Sequence, residues 1–408
     1  MPDVPGVWQS VRSLPGWLRA LLIGQFVNAA GALAWVYLTL YLVSSRHLPA
    51  THAGVLTGIN GAGVIAGNFV AGWIGDRVGA RRTLVAGLLG WAVCSAVVPV
   101  TPVAALPPLL LVAGTLGGFP RPLMLAVALG AVPADQRRTA AALYRVAFNA
   151  GAIIGPPLGA LAASWTFAAV FVTDAVSSAV LAVAVLRWAP PDRARASRPP
   201  GPRPDSVFRT LRARPLALAV LLTVVVVDTS YRQLYVGVPL ELHRLGAPTV
   251  VYGLTVTANC VIIVAAEVWM SLRMAGHAPG RVIALGYAFV GASWLIFAGR
   301  PAVASAFVLV AVISVGEMLY KPTATAAVAD AAPAGYEARY QSLYAGASIS
   351  GSVIAPPVGG ALFGAHPLVL WLGSGLLPIA AAVLIAAPRL RAPGVVPDEV
   401  FAAVPEEP

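Results

Sequence analysis

The chain has 408 residues, of which 58% are hydrophobic and only 11% are charged. A soluble domain carries about 25% charged residues, so this chain cannot cover a water-facing surface and is predicted to lie in a membrane. The net charge of +11 would suit nucleic acid, but the arginines concentrate at the ends of apolar segments and indicate membrane topology instead. Cys94 and Cys260 stand alone in apolar segments and imply neither a disulfide framework nor a metal site.

Apolar segments of bilayer-spanning length, about 20 residues each, recur along the chain. We number them spans 1 to 12, and they are predicted at 17–43, 53–75, 83–101, 106–132, 139–163, 166–187, 216–239, 250–272, 281–299, 302–328, 340–363 and 367–387. The predicted fold class is an all-α membrane protein with two six-helix bundles, 1–188 and 215–390. A linker rich in Pro and Arg, 189–214, joins the bundles, and a polar tail, 391–408, follows them.

The distribution of arginine predicts the orientation in the membrane. The loop after span 2 and the linker are rich in arginine, whereas the loops on the opposite side hold only Arg46, Arg244 and Arg300. Basic residues concentrate on the cytoplasmic side of membrane proteins. The sequence therefore predicts a multi-pass protein of the cell membrane with both termini in the cytoplasm.

The two halves of the chain repeat each other. Residues 117–159 match residues 317–359 without a gap after a shift of 200 positions. Arg121-Pro122 falls on Lys321-Pro322, and Pro156-Pro157-x-Gly159 falls on Pro356-Pro357-x-Gly359. Self-similarity at a fixed period indicates repeated architecture. In a membrane protein, two parallel halves are a transporter plan, with the substrate site between them near the middle of the bilayer.

The loop after span 2 carries a recognisable motif. Its sequence, Gly72-Trp-Ile-Gly-Asp76-Arg77-Val-Gly-Ala-Arg81-Arg82, resembles the signature between spans 2 and 3 of the major facilitator superfamily, although Ala80 replaces the first of the paired arginines. The resemblance implies that Asp76 caps the start of span 11 when the inner gate is closed, where a helix N-terminus favours a carboxylate. Arg77 and Arg81 would add hydrogen bonds across the halves. The alternative is anchoring to anionic lipid, which we favour for Arg82.

Span 5 contains Gly151-x-x-x-Gly155-Pro156-Pro157-x-Gly159. Glycines four residues apart allow another helix to approach closely, and paired prolines bend the helix. The motif is similar to one in span 5 of drug/proton antiporters of the same superfamily, which implies export. Ordinary tight packing between the halves is the alternative.

Charged residues within the spans predict the working site, because a charge in the membrane usually faces a partner or a wet cavity. In the family that the chain resembles, spans 1, 4, 7 and 10 line the central cavity. Asp228 and Glu317 are the candidates for proton coupling. The candidate cavity residues are Asn28, Arg121, Tyr231, Arg232, Tyr235 and Lys321. As an alternative, Asp228–Arg232 and Glu317–Lys321 are ion pairs within one helix that merely neutralise each other. Asp174 and Glu267 are predicted to be structural.

No enzyme chemistry emerges from the sequence, and neither a P-loop nor any cofactor motif is present. The resemblance predicts a secondary transporter that exchanges protons for small organic compounds or drugs by alternating access. A proton symporter importing a charged nutrient such as a peptide or sugar acid is the first alternative. A membrane sensor or scaffold without transport is the second. The expected partners are a small-molecule substrate, protons and membrane lipid but not nucleic acid, and the expected functional unit is a monomer.

Overall fold

The computed structural model describes residues 15–130, 132, 137–191, 214–274, 276–332 and 337–387. Within these ranges, twelve helical segments are long and apolar enough to cross a membrane. Their helices run Gly16–Gly31 and Ala34–Ser44 (span 1), Ala50–Val78 (span 2), Ala80–Val97 (span 3), Leu106–Gly117 and Pro120–Gly130 (span 4), Arg137–Trp165 (span 5), Phe167–Trp188 (span 6), Pro215–Tyr231 and Gly237–Arg244 (span 7), Thr249–Met274 (span 8), Pro279–Gly299 (span 9), Val303–Asp330 (span 10), Glu337–Ala365 (span 11) and Pro367–Ala386 (span 12). The predicted all-α membrane fold is confirmed. The tail and most of the linker lie outside the described residues, so the domain boundaries stay predictions.

Span 1 is not the continuous helix that the sequence predicted. Its first helix ends at Gly31 and its second begins at Ala34. The carboxylate of Asp174 in span 6 accepts the Ala34 amide at 2.8 Å, and its other oxygen accepts the indole N–H of Trp91 at 2.8 Å. The carboxylate replaces the helical acceptor that the break removes, which is the usual way that broken helices are tolerated in membranes. The structural role predicted for Asp174 agrees with these contacts.

Span 7 is interrupted at the corresponding place. A short 3-10 helix, Arg232–Tyr235, separates its two α-helices. The side-chain amide of Gln233 donates to the Ala355 carbonyl in span 11 at 3.0 Å, which fixes the break against the neighbouring helix. A shift of 200 residues places Ala34 on Leu234. The two halves therefore share the break as well as the sequence repeat.

The paired prolines of span 5 expose a carbonyl to the other half of the protein. Pro157 has no N–H, so the Ile153 carbonyl loses its helical donor. The hydroxyl oxygen of Thr257 in span 8 lies 3.4 Å from that carbonyl oxygen, and its shorter hydrogen bond, 2.9 Å, goes to the Gly253 carbonyl in its own helix. The equivalent carbonyl in span 11 is that of Val353, and a methyl group added to Gly58 in span 2 would come within 3.1 Å of its oxygen. The proline pairs therefore lie where the two halves touch.

Spans 2 and 11 are close together at one end and apart at the other, at the glycines that the described residues offer for comparison. A methyl group on Gly61 of span 2 would collide with the Ser352 carbonyl of span 11. Gly72 lies three turns further along the same face of span 2, and a methyl group there would find no atom within 4 Å. Gly346 lies two turns before Val353 on span 11 and is equally open. Spans 2 and 11 thus pack at the end predicted to be extracellular and separate at the end predicted to be cytoplasmic.

Candidate substrate cavity and coupling site

Asp228 is buried in the C-terminal half, with 2% of its surface exposed. Tyr320 in span 10 donates its hydroxyl to one carboxylate oxygen, and Ser348 in span 11 donates to the other. A methyl group on Gly351 would lie 3.0 Å from the Asp228 carbonyl carbon, so a larger residue would push span 11 slightly away from span 7. We call Asp228, Tyr320 and Ser348 the carboxylate cluster. It ties together spans 7, 10 and 11 through a single ionisable group.

The alternative that paired Asp228 with Arg232 is wrong. The helix ends at Tyr231, and the 3-10 turn that follows begins with Arg232, so the four-residue spacing no longer describes one α-helical face. Among the described residues, no ion pair joins the two side chains. The Nε atom of Arg232 is buried and has no hydrogen-bond partner in the described part of the chain. A buried cationic donor is thus left available on span 7.

Glu317 and Lys321 of span 10 form the predicted ion pair, with 2.5 Å between Nζ and Oε1. The ammonium group also lies 4.1 Å from the ring centre of Tyr231, in cation–π contact. About a third of the Lys321 side chain, 34%, remains exposed. The second oxygen of Glu317, Oε2, is buried and accepts no hydrogen bond from the described residues. The charges of the pair balance, but one carboxylate oxygen is left without a hydrogen bond among the described residues.

Aromatic residues surround these charges. The Tyr231 hydroxyl lies 3.3 Å from the Asn259 side-chain oxygen in span 8, and Asn259 donates to Ser314 in span 10 at 2.8 Å. The ring of Tyr235 lies 6.3 Å from that of Tyr231 and 5.0 Å from that of Trp35 in span 1. The Trp35–Tyr235 contact joins the two halves where both broken spans meet.

The candidates of the N-terminal half lie apart from this group. Asn28 donates to Ser178 of span 6 at 3.0 Å and is therefore held within its own half. Arg121 is exposed and makes no hydrogen bond or ion pair within the described ranges. Lys321, its repeat partner, is instead engaged by Glu317. In the symmetric anion site that was expected from Arg121 and Lys321, Lys321 is therefore already paired with Glu317.

The gating candidates follow the loop after span 2. Gly79 has φ of +105°, which favours glycine and turns span 2 directly into span 3. Arg77 stacks on Trp73 at 3.5 Å. Arg81 donates to the carbonyls of Val185 and Leu186 at 3.3 Å and 2.5 Å, so these bonds lie within the N-terminal half and not across the halves as expected. Asp76 is exposed, and its gating role stays a prediction while the inner end is open.

The glycines of span 5 serve its own half. Gly151, Gly155 and Gly159 face span 1. A methyl group on Gly151 would come within 2.6 Å of the Phe26 carbonyl oxygen, and Tyr37 donates to the Pro156 carbonyl at 2.6 Å. The alternative of glycine packing between the halves does not hold for these three positions, because the face that meets span 8 belongs to the prolines.

Sequence reasoning missed four residues that contact the candidate site residues. Ser348, Tyr320, Asn259 and Trp35 carry no charge and stand in no motif, so nothing in the sequence distinguishes them from other residues of their spans. The internal repeat gives no signal either, because Phe148 stands where Ser348 stands in the second half. Their contacts with Asp228, Tyr231 and Tyr235 appear only in the folded chain.

Residues 21–356 match the Major Facilitator Superfamily, and the chain belongs to this family. It is a multi-pass membrane transporter by family and by its twelve spans. An uncharacterized MFS-type transporter, YttB of Bacillus subtilis (strain 168), is 28% identical over 93% of this chain and 97% of its own. The crystal structure of the POT family transporter PepTSo has a TM-score of 0.77 at 13% identity, covering 92% of this chain and 97% of that one. A POT family transporter in complex with 5-aminolevulinic acid has a TM-score of 0.74 at 13% identity, covering 94% and 100%.

Proposed function

We propose that this protein is a proton-coupled secondary transporter that takes up small organic molecules carrying both a negative and a positive group, such as peptide-like compounds. The observation that carries the proposal is a pair of unsatisfied buried atoms, Nε of Arg232 and Oε2 of Glu317. An unmade hydrogen bond of a buried charged group costs about 1–3 kcal/mol or more, so two such atoms favour a ligand that bonds to both. A substrate carboxylate suits Arg232, and a substrate ammonium suits Glu317.

The carboxylate cluster supports proton coupling. An ionised Asp228 accepts both hydroxyls, from Tyr320 and from Ser348. A protonated acid has its own O–H to donate, so one of the two hydroxyls must turn and accept instead. Because those hydroxyls belong to spans 10 and 11, adding a proton changes the bonding between helices that line opposite sides of the cluster. Glu317 is the second candidate for the coupled proton.

The two candidate functions, uptake by symport and export by antiport, differ in the direction in which the substrate moves. Peptides and 5-aminolevulinic acid, which solved relatives of the same fold hold, carry an amino and a carboxyl group. That likeness favours the symporter over the antiporter. Export keeps the support of the Gly-Pro motif in span 5, which is similar to that of drug/proton antiporters. We further propose that the transporter works as a monomer in the cell membrane with both termini in the cytoplasm, since one chain supplies all twelve spans.

Purified protein in liposomes with an internal pH dye tests the proposal. Adding dialanine or 5-aminolevulinic acid outside should acidify the interior if protons and substrate move together. Export by antiport would move protons the opposite way, and a sensor would move none. Arg232→Met should weaken binding of dialanine about tenfold or more, the value of a hydrogen bond to a charged group. Arg300→Gln, at an exposed position outside the cavity, is the matched control. Equal affinity of the two variants would contradict the assignment of Arg232.

A further inference from the structure

A groove of about 430 Å³ lies where the end of span 2, the start of span 3 and the end of span 6 meet. Its lining residues are Val78, Arg81, Arg82, Leu186 and Pro191. All of these positions lie at the membrane face that the arginine distribution predicts to be cytoplasmic. Its lining residues come from the N-terminal half and, at Pro191, from the start of the linker, and none of them belongs to the carboxylate cluster.

The two arginines of this groove differ in their contacts. The guanidinium of Arg81 is held by the carbonyls of Val185 and Leu186, where the end of a helix carries partial negative charge. The next residue, Arg82, is exposed and makes no hydrogen bond or ion pair in the described part of the chain. Arg81 thus builds one wall of the groove, while Arg82 offers its full charge to an outside anion.

The other wall of the groove is apolar. Val78 and Leu186 expose 54% and 50% of their surface. Trp188, two residues after Leu186, is 50% exposed, and Trp73 is 62% exposed near the same end of span 2. Tryptophan is enriched where the hydrocarbon of a bilayer meets its headgroups. A free cation and an apolar wall therefore stand side by side at the level of the headgroups.

We propose that this groove binds the headgroup of an anionic phospholipid, with its phosphate at Arg82 and the start of an acyl chain against Val78 and Leu186. The chemistry that Arg82 recognises is a phosphate, which bulk phosphate would also supply. The apolar wall distinguishes the two sources, because only a lipid has a chain to place there. Since spans 2, 3 and 6 belong to one half, the lipid stays bound in both conformations of the transport cycle. The proposal does not depend on the transported substrate.

Native mass spectrometry of the protein in neutral detergent, titrated with phosphatidylglycerol, tests this site. Arg82→Gln should lower the apparent affinity for phosphatidylglycerol about fivefold, the contribution of one cation near an anionic surface. Arg82→Lys should keep most of it. Arg19→Gln is the matched control, because Arg19 is exposed at the predicted cytoplasmic start of span 1 but does not line the groove. Phosphatidylcholine binding should be the same in the wild-type protein and in these three variants.

A second variant separates lipid from free phosphate. Val78→Asn should weaken phosphatidylglycerol binding several-fold and leave competition by inorganic phosphate unchanged. If Arg82→Gln and Arg19→Gln lose the same affinity, the groove is not the site and the proposal is overturned. If inorganic phosphate binds as tightly as phosphatidylglycerol and Val78→Asn has no effect, the groove takes a free anion and the lipid assignment is wrong. Thermal unfolding in the neutral detergent checks that each variant is folded.

Discussion

The hydroxyl of Ser348 in span 11 donates to the carboxylate of Asp228 in span 7, so an ionisable group lies in the contact between two helices. Tyr320 of span 10 completes the cluster from the other side. Span 11 also packs against span 2 of the opposite half, at Gly61. A change in the proton occupancy of Asp228 therefore acts on a helix that helps to close the predicted extracellular end.

Asp228→Asn imitates a permanently neutral side chain. We expect downhill exchange of substrate to survive and uphill uptake driven by a pH gradient to be lost, because the coupled proton can no longer come and go. The amide still offers an acceptor and a donor to the two hydroxyls, so folding yield should stay near that of the wild type. Counterflow and gradient-driven uptake in the same liposomes measure the two activities. If the variant still concentrates substrate, Asp228 does not carry the coupled proton and Glu317 is the remaining candidate.

The Glu317–Lys321 pair allows a separate test. Glu317→Gln leaves the partly buried ammonium of Lys321 without its partner, and losing one member of a buried pair costs about 3–5 kcal/mol when burial is complete. Because Lys321 is partly exposed, we expect a smaller loss of thermal stability. If the pair is only a neutral unit, Glu317→Gln combined with Lys321→Met should restore both stability and transport. Restored stability without transport is the result that we expect.

Gly61 and Gly72 share one face of span 2 and should respond in opposite ways to a larger side chain. Gly61→Leu cannot keep the contact with span 11, so it should open the predicted extracellular end. Gly72→Leu begins in open space, since an added methyl group there meets no atom within 4 Å, but it should hinder closing of the cytoplasmic end. Labelling with a membrane-impermeant thiol reagent at cysteines placed on each side reads the two shifts. Gly373→Leu, in span 12 with no atom near an added methyl group, is the control. The same accessibility in both variants would contradict the assigned open and closed ends.

Asp76→Asn should weaken the closed inner gate by about 1 kcal/mol, the value of a carboxylate at a helix N-terminus. Disulfide formation between Gly72→Cys and Gly346→Cys reports closing of that gate, in a background with Cys94 and Cys260 replaced. The cross-link should form more slowly with Asp76→Asn than with Asp76→Glu, which keeps the charge. An unchanged rate in a folded protein would favour anchoring of the loop to anionic lipid.

Topology can be checked without any transport assay. A reporter fused after Arg198 should be active only in the cytoplasm, and one inserted after His47 only outside the cell. The reason is the concentration of arginine in the linker compared with the loop at His47. The reverse result at either position would overturn the orientation, although not the helices themselves.

Local features of the chain could be predicted from the sequence alone. Bilayer thickness sets the length of each span, so twelve spans follow from twelve apolar segments. The Glu317–Lys321 pair follows from a spacing of four residues on one helix, where such side chains are neighbours. The turn at Gly79 belongs to the motif that also indicated the family.

The tertiary structure alone decided which groups meet. Asp228 finds its partners 92 and 120 residues away, and Arg81 binds carbonyls 104 and 105 residues away. Inside a membrane, a polar group must be satisfied by whichever helix lies beside it, and helix neighbours depend on packing rather than on distance along the chain. The breaks in spans 1 and 7 have the same origin, because Asp174 and the Ala355 carbonyl that support them come from other helices. The sequence supplied the charges, and only the packing of helices gave each one its partner.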